Sequence, residues 1–223
     1  MSTNRKAPSS PPSRTPGRPG GETAAQRERL LDAALNAFSH KGIAASSLRG
    51  IASEAGVTPA LVNYYFGNKT KLLAAVVEER LLPLLMNLAQ GLRQVGDQPI
   101  ELVGGFIQGM RRIVQAHPWL PPLWVREVLC EGGGLRELLM SRVAPLIPHL
   151  LAERFAAAQR RGALNPDLEP RLLVVSLIGL TLFPYAAAPI WRGLFDAPEL
   201  DDEALARHTL VLLERGLEAP RAT

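Results

Sequence analysis

The chain has 223 residues, 47% of them hydrophobic, which is enough to bury a sizeable core as one large domain or two small ones. Lysine and arginine number 25 against 21 acidic residues, giving a formal charge of +4. A lone cysteine, Cys130, excludes an intramolecular disulfide and suits a reducing compartment.

The first 21 residues, MSTNRKAPSSPPSRTPGRPGG, contain Arg5, Lys6, Arg14 and Arg18 and no acid. They therefore hold the whole positive excess, since the 21 basic residues that remain balance the 21 acids. Rich in Pro, Ser and Gly, this tail cannot bury apolar surface and is expected to be disordered. It has no apolar h-region, so it is not read as a secretory signal, and cytoplasmic residence is expected. A basic arm can follow phosphates or enter a minor groove, and Gly17-Arg18-Pro19 resembles half of an AT-hook core. A solvated linker is the plainer alternative.

Helical periodicity begins near Thr23. Leu31, Ala34, Leu35 and Phe38 form an apolar stripe that ends at Lys41, with Gly42 as the C-cap. Next, Leu48, Ile51, Ala52 and Ala55 share one helical face, with Ser46 or Ser47 as N-cap and Gly56 as the left-handed stop. Thr58 caps a further helix and Pro59 opens it, where a missing N–H costs nothing. Two short helices joined by a glycine turn make a helix-turn-helix, whose second helix enters the major groove.

A fourth helix should start near Asn68, continue past Leu82 and kink or break near Pro83. Asp97 should cap a helix carrying Leu102, Phe106, Met110 and Ile113, which ends at His117-Pro118. Others are expected at about 121–130, at 135–161 with interruptions at Pro145 and Pro148, from Pro170 onward, and at about 202–217. No stretch alternates with period two, so the fold class is all-α with nine or ten helices. The twenty residues from Leu172 to Trp191 carry no charge and meet the length of a membrane span. Pro184 and Pro189 argue instead for a helix buried in protein on every side, with no membrane as partner.

The run from Ser47 to Thr58, followed by Leu61-Val62-Asn63-Tyr64-Tyr65-Phe66-Gly67-Asn68-Lys69-Thr70-Lys71-Leu72-Leu73, resembles the TetR/AcrR family of bacterial transcriptional regulators. Arg27 to Phe38 and Gly42 match that family's first helix, so the resemblance covers roughly residues 24–84. One departure is Gly50, where the family usually has an acidic residue. Three parts are expected: a tail (1–21), a helix-turn-helix DNA-binding domain (22–84), and a larger helical effector-binding and dimerisation domain (85–223). The resemblance also implies a homodimer paired through the last two long helices, and a small-molecule effector that changes the spacing of two DNA-reading heads.

Thr58, Pro59, Ala60 and Asn63 face the groove if Leu61 and Val62 face the core. Asn63 is the best base reader, because its amide can pair bidentately with adenine. Tyr64 and Lys69 suit phosphate, as does Ser47 or Arg49. Tyr65 fits phosphate and core equally, whereas Phe66 reads as core. Residues 37–73 carry only +3, from Lys41, Arg49, Lys69 and Lys71 against Glu54. One copy should therefore bind double-stranded DNA weakly, and a two-fold dimer on a palindromic operator is expected. For the effector, Phe106, Met110, Trp119, Trp124, Met140 and Phe155 offer an apolar or aromatic lining. Arg126, Glu127 and His117 could orient a polar group, although a solvated face is the readier account of Arg126 and Glu127.

The four histidines are scattered, with no HExxH, no paired-cysteine spacing and no phosphate-binding loop after a strand. Neither catalytic nor metal residues are expected, and no cofactor. Two readings compete with a ligand-responsive repressor. One is an architectural DNA-binding protein without an effector, the other a membrane-associated protein using 172–191.

Overall fold

Prolines open six of the helices in this fold and glycines close several, so the chain's punctuation is also its architecture. In a computed structural model of the protein, residues 20–142 and 146–218 are described; the tail through residue 19 and Pro145 lie outside them. The described residues form eleven helices and no strand. That is all-α as expected, with one or two more helices than periodicity suggests, because two proline-bearing stretches divide.

Helix α1 (Gly20–Lys41) buries Leu31, Ala34, Leu35 and Phe38 on one stripe. Its end is closed by Gly42 at φ +88°, whose N–H reaches the Phe38 carbonyl at 3.1 Å. Helices α2 (Leu48–Glu54) and α3 (Pro59–Phe66) pack on α1 through the buried Ile51, Ala52, Val62 and Phe66.

Helix α4 covers 69–94 without a break. It is α-helical over Lys69–Val76 and Leu82–Gln94, with a π-helical turn at Val77–Leu81 between. The break expected at Pro83 is absent because this turn absorbs it. The Leu82 N–H reaches back five residues to the Val77 carbonyl. The Glu79 carbonyl, which Pro83 would leave without its usual donor, accepts from Arg80 Nη1 at 3.4 Å.

Helix α5 (Pro99–Ala116) is capped by Gln98, with Glu101 completing a capping box. Asp97, expected as the cap, instead accepts from Arg154 Nη2 at 2.7 Å. The same guanidinium also bonds the carbonyls of Leu92, Val95 and Gly96 at the end of α4, so a longer reach outcompetes the local cap.

Helix α6 spans 120–129 and ends in a second π-turn, Val125–Leu129. The single interrupted helix expected over 135–161 is two, α7 (Arg136–Arg142) and α8 (Pro148–Arg160), because Pro148 starts a helix more readily than it continues one. Helix α9 (Pro170–Ala186) passes through Pro184. The chain breaks only at Ala187, before α10 (Ala188–Leu194). Among the described residues no single helix is long and apolar enough to cross a membrane, and α9 and α10 are bent by 70°. Helix α11 (Asp202–Leu217) is capped by Asp201, whose carboxylate accepts the Ala204 N–H at 2.8 Å. Helices α5, α8, α9 and α11 pack together as the larger half, and α6 leans across to touch α1.

Ion pairs fasten α1 to the π-turn of α4. Arg27 grips Glu79 with both guanidinium ends, Nη2 to Oε1 at 2.6 Å, and Arg80 pairs with Asp32 at 2.9 Å and Glu28 at 2.7 Å. The hydrogen bond from Arg27 holds the Glu79 carboxyl below its ordinary range, aided by the charges of Arg27 and Arg80 and opposed by partial burial. A lowered folded-state value means that this pairing stabilises the fold above the usual glutamate range and is lost as pH falls through the lowered value. The melting temperature should therefore fall below that range in wild type. In Glu79→Gln that part of the curve should be flatter, and identical acid limbs would contradict the assignment.

Candidate nucleic-acid interface

The turn between α2 and α3 follows directly from Gly56. At φ +67° it lets its own N–H reach the Ser53 carbonyl at 3.2 Å and the Val57 N–H reach Ala52 at 2.9 Å, a Schellman closure. Ser47 is the N-cap of α2, accepting the Gly50 N–H on its hydroxyl at 3.1 Å. Ser46 is buried, and its hydroxyl donates to the Gly42 carbonyl at 2.7 Å. Thr58 holds the N-cap position of α3 with extended backbone angles, yet its side chain makes no capping bond. The residue is exposed.

The outer face of this unit is polar and open. Ser47, Arg49, Thr58, Pro59, Ala60 and Asn63 are all exposed, and Tyr64 is 79% exposed despite its size. Val62 and Phe66 point the opposite way into the core, with Arg27 stacked 5.2 Å over the Phe66 ring. The structure thus brings the groove-facing candidates together on one surface of α2 and α3.

Two members of the expected set have other partners. Lys69 is half-buried and its ammonium donates to the Ala44 and Ser46 carbonyls, at 3.1 and 2.7 Å. The α1–α2 connection leaves those carbonyls without helical donors, and a lysine at the start of α4 is well placed to satisfy them. Tyr65 is half-buried and its hydroxyl donates to the Thr23 carbonyl at 3.0 Å, tying α3 to the start of α1. Of the other basic residues between 37 and 73, Lys41, Arg49 and Lys71 are exposed.

The residues expected to line an effector site are scattered more widely. Phe106, Met110 and Trp124 do meet, around a cavity of about 80 Å³ shared with Leu85, Leu120, Ile178 and Leu182. Among the described residues, no charged side chain or hydroxyl lines it. Phe155 is fully buried elsewhere in the core, and Met140 is 66% exposed on α7. His117 is the C-cap of α5 and packs against Trp119, at 5.4 Å between ring centres, outside the cavity. Periodicity marks Met140 and Phe155 as apolar but does not say which interior space each helix face meets.

Glu127 overturns the reading of a solvated face, while Arg126 is exposed as expected but tethered to backbone carbonyls. Glu127 is 5% exposed, and its carboxylate accepts the Ile43 N–H at 2.9 Å and the Gly134 N–H at 3.0 Å. Arg126 Nη1 donates to the carbonyls of Ser39 and His40, at 3.1 and 2.7 Å. The π-turn of α6 therefore clasps the end of α1 and the turn that follows it. On the same helix, Trp124 and Val128 line the apolar cavity.

Residues 30–76 match the sequence profile described as bacterial regulatory proteins, tetR family. The chain is 34% identical over 149 residues to the HTH-type transcriptional regulator BetI of Rhizobium meliloti (strain 1021), covering 61% of this chain and 73% of that protein. The chain belongs to the TetR family.

As a TetR-family protein it is a helix-turn-helix, DNA-binding transcriptional regulator. Two solved structures share the fold across nearly their whole length. One is NalD, the secondary repressor of the MexAB-OprM multidrug efflux pump in Pseudomonas aeruginosa, with TM-score 0.64, 24% identity and coverage of 88% of this chain and 97% of that one. The other is FadR from Bacillus subtilis in complex with stearoyl-CoA, with TM-score 0.67, 19% identity and coverage of 86% and 99%. The TetR-type surface on α2 and α3 is thus set in a fold whose larger half resembles those of known regulators.

Proposed function

We propose that this regulator is a repressor, released from a palindromic operator when a small apolar or aromatic effector enters the cavity beside Trp124. Residues 22–84 act as the DNA-reading head, and residues 85–223 as the effector-binding and dimerising part. The observation that carries the reading is the double duty of α6, which lines the cavity and clasps the head through Arg126 and Glu127. An effector shifts an equilibrium only by binding one state better than the other. A helix packed against both sites gives it the means. The repressor NalD and the ligand-bound FadR, both of this fold, lend support by analogy.

On the head, Asn63 reads a base edge, with Thr58, Pro59 and Ala60 against the groove. Tyr64, Arg49 and Ser47 hold phosphates. Lys69 and Tyr65 shape the head from within, and either has only a residual donor or edge to offer DNA. The dimer forms through α9 and α11, and the protein works in the cytoplasm.

Binding to sheared genomic DNA, with recovered fragments sequenced, tests the reading. A few palindromic fragments should be enriched, and Asn63→Ala should weaken their binding roughly 5- to 150-fold, the worth of one bidentate pair. Diffuse enrichment that Asn63→Ala leaves unchanged would favour an architectural DNA binder.

A further inference from the structure

Helices α4 and α5 hold between them an open groove of about 560 Å³, inside the range of about 300–1,000 Å³ usual for ligand sites. Among the described residues its lining includes none from α9 or α11, so the surface proposed to pair two copies does not form it. Two glycines of α5 build the floor. A Cβ added at Gly105 or Gly109 would run into Val95 or Leu88 across the groove, so its absence lets the helices close up. Gly91 of α4 keeps the space above open, since a Cβ added there would meet nothing within 4 Å. Leu84, Leu92 and Ile113 complete an apolar bed.

The groove is polar toward one end. Because Leu88 faces Gly109 and Val95 faces Gly105, the helices run antiparallel, and Asn87 lies within one helical turn of Arg112 along the groove. Arg112 is exposed and, among the described residues, has no hydrogen-bond or ion-pair partner. Glu101 lines the far end, about 16 Å away at about 1.5 Å per residue of α5, and its carboxylate accepts the Gln98 N–H at 3.3 Å. We propose that this groove binds an elongated monocarboxylate, its head on Arg112 and the Asn87 amide and its apolar body along the glycine floor toward Val95. The guanidinium fork matches a carboxylate, and the bed beyond it offers methylenes a surface to leave water on. An uncharged ligand would leave the cation unused. A dicarboxylate would set its second charge over leucine and glycine, facing Glu101. This site is separate from the cavity beside Trp124, and either can exist without the other.

The test is calorimetric titration of the full-length protein with octanoate, octan-1-ol and octanedioate. Octanoate should bind at least about tenfold tighter than octan-1-ol, the low end for a hydrogen bond to a charged group. Octanedioate should bind more weakly than octanoate. In Arg112→Gln the affinity for octanoate should fall to that for octan-1-ol, which should itself be unchanged. Gly91→Leu fills the groove at an exposed helical position with room for a side chain, and should abolish binding of both. Gly104→Leu blocks from α5, 4.0 Å from Leu210 at its Cβ, should Gly91→Leu fold poorly by circular dichroism. Failure of octanoate to bind wild type would overturn the proposal, as would octanoate binding that Arg112→Gln leaves intact. Binding that survives both glycine variants would place the acid elsewhere and overturn the groove. Octanedioate binding as tightly as octanoate would overturn the apolar course assigned to the ligand's body.

Discussion

Val211→Glu is expected to leave the protein monomeric and to cost about 10³-fold in operator affinity, the low end of the gap between specific and non-specific DNA binding. The reason lies in how the last two long helices present their side chains. On α9, Leu172, Val175 and Phe183 are exposed along one stripe, and on α11 Val211 and Leu212 are exposed beside them. Isolated apolar residues on a surface need no explanation, but several exposed on two helices that pack against each other mark a surface meant to be covered. No charge falls between Arg171 and Arg192, so α9 offers such a partner nothing to repel. A two-fold interface repeats each residue, and one glutamate per chain therefore buries two carboxylates near the axis without a counter-ion. Because the head has few cations, one copy gains little from phosphate contacts. The slope of log affinity against log salt should fall by about half in the variant, following the number of phosphates neutralised. Analytical ultracentrifugation beside a salt-dependent binding assay reads both effects. A Val211→Glu protein that remains dimeric would place the interface elsewhere.

Legibility from sequence follows the range of the interaction. The α2–turn–α3 unit was readable because its determinants are local. The stripe of Ile51 and Ala52, the positive φ of Gly56 and the proline opening α3 lie within a dozen residues, and each alone favours the geometry found. Helix α11 was readable for the same reason, with Asp201 as cap and Leu217 near its end. Three of the departures involve long side chains that act at a distance. Lys69 reaches back 23 residues to the Ser46 carbonyl, Arg154 spans 57 to Asp97, and Glu127 spans 84 to Ile43. By periodicity alone a charged residue on a helix belongs in solvent, since ionic groups are seldom fully buried. Here the helix ends and turns left backbone groups unsatisfied, and those groups drew the charges inward. The π-turn before Pro83 is not legible in the sequence for a related reason. Proline predicts a defect in the hydrogen-bond ladder but not whether the helix ends or takes up an extra residue.

Glu127→Ala should lower stability by about 2–6 kcal/mol, because the Ile43 and Gly134 N–H groups each lose a buried acceptor at about 1–3 kcal/mol. The functional consequence is more specific than the loss of stability. The clasp holds the turn between α1 and α2, and that turn also supplies the carbonyls on which Lys69 rests. Without the carboxylate, the orientation of α2 and α3 is no longer set by α6. The apolar cavity should be affected less, since its lining does not include Glu127. The variant should therefore bind an effector with near wild-type affinity, while the effector loses most of its influence on operator binding. Linkage supplies the check, because coupling between two sites is reciprocal. In wild type, operator DNA weakens effector binding by the same factor that effector weakens operator binding. In Glu127→Ala both factors should fall toward one together. Glu127→Gln, which keeps an acceptor oxygen for one of the two N–H groups, should lie between. A Glu127→Ala protein that melts lower yet keeps the full coupling factor would show that the clasp stabilises the head without transmitting the signal.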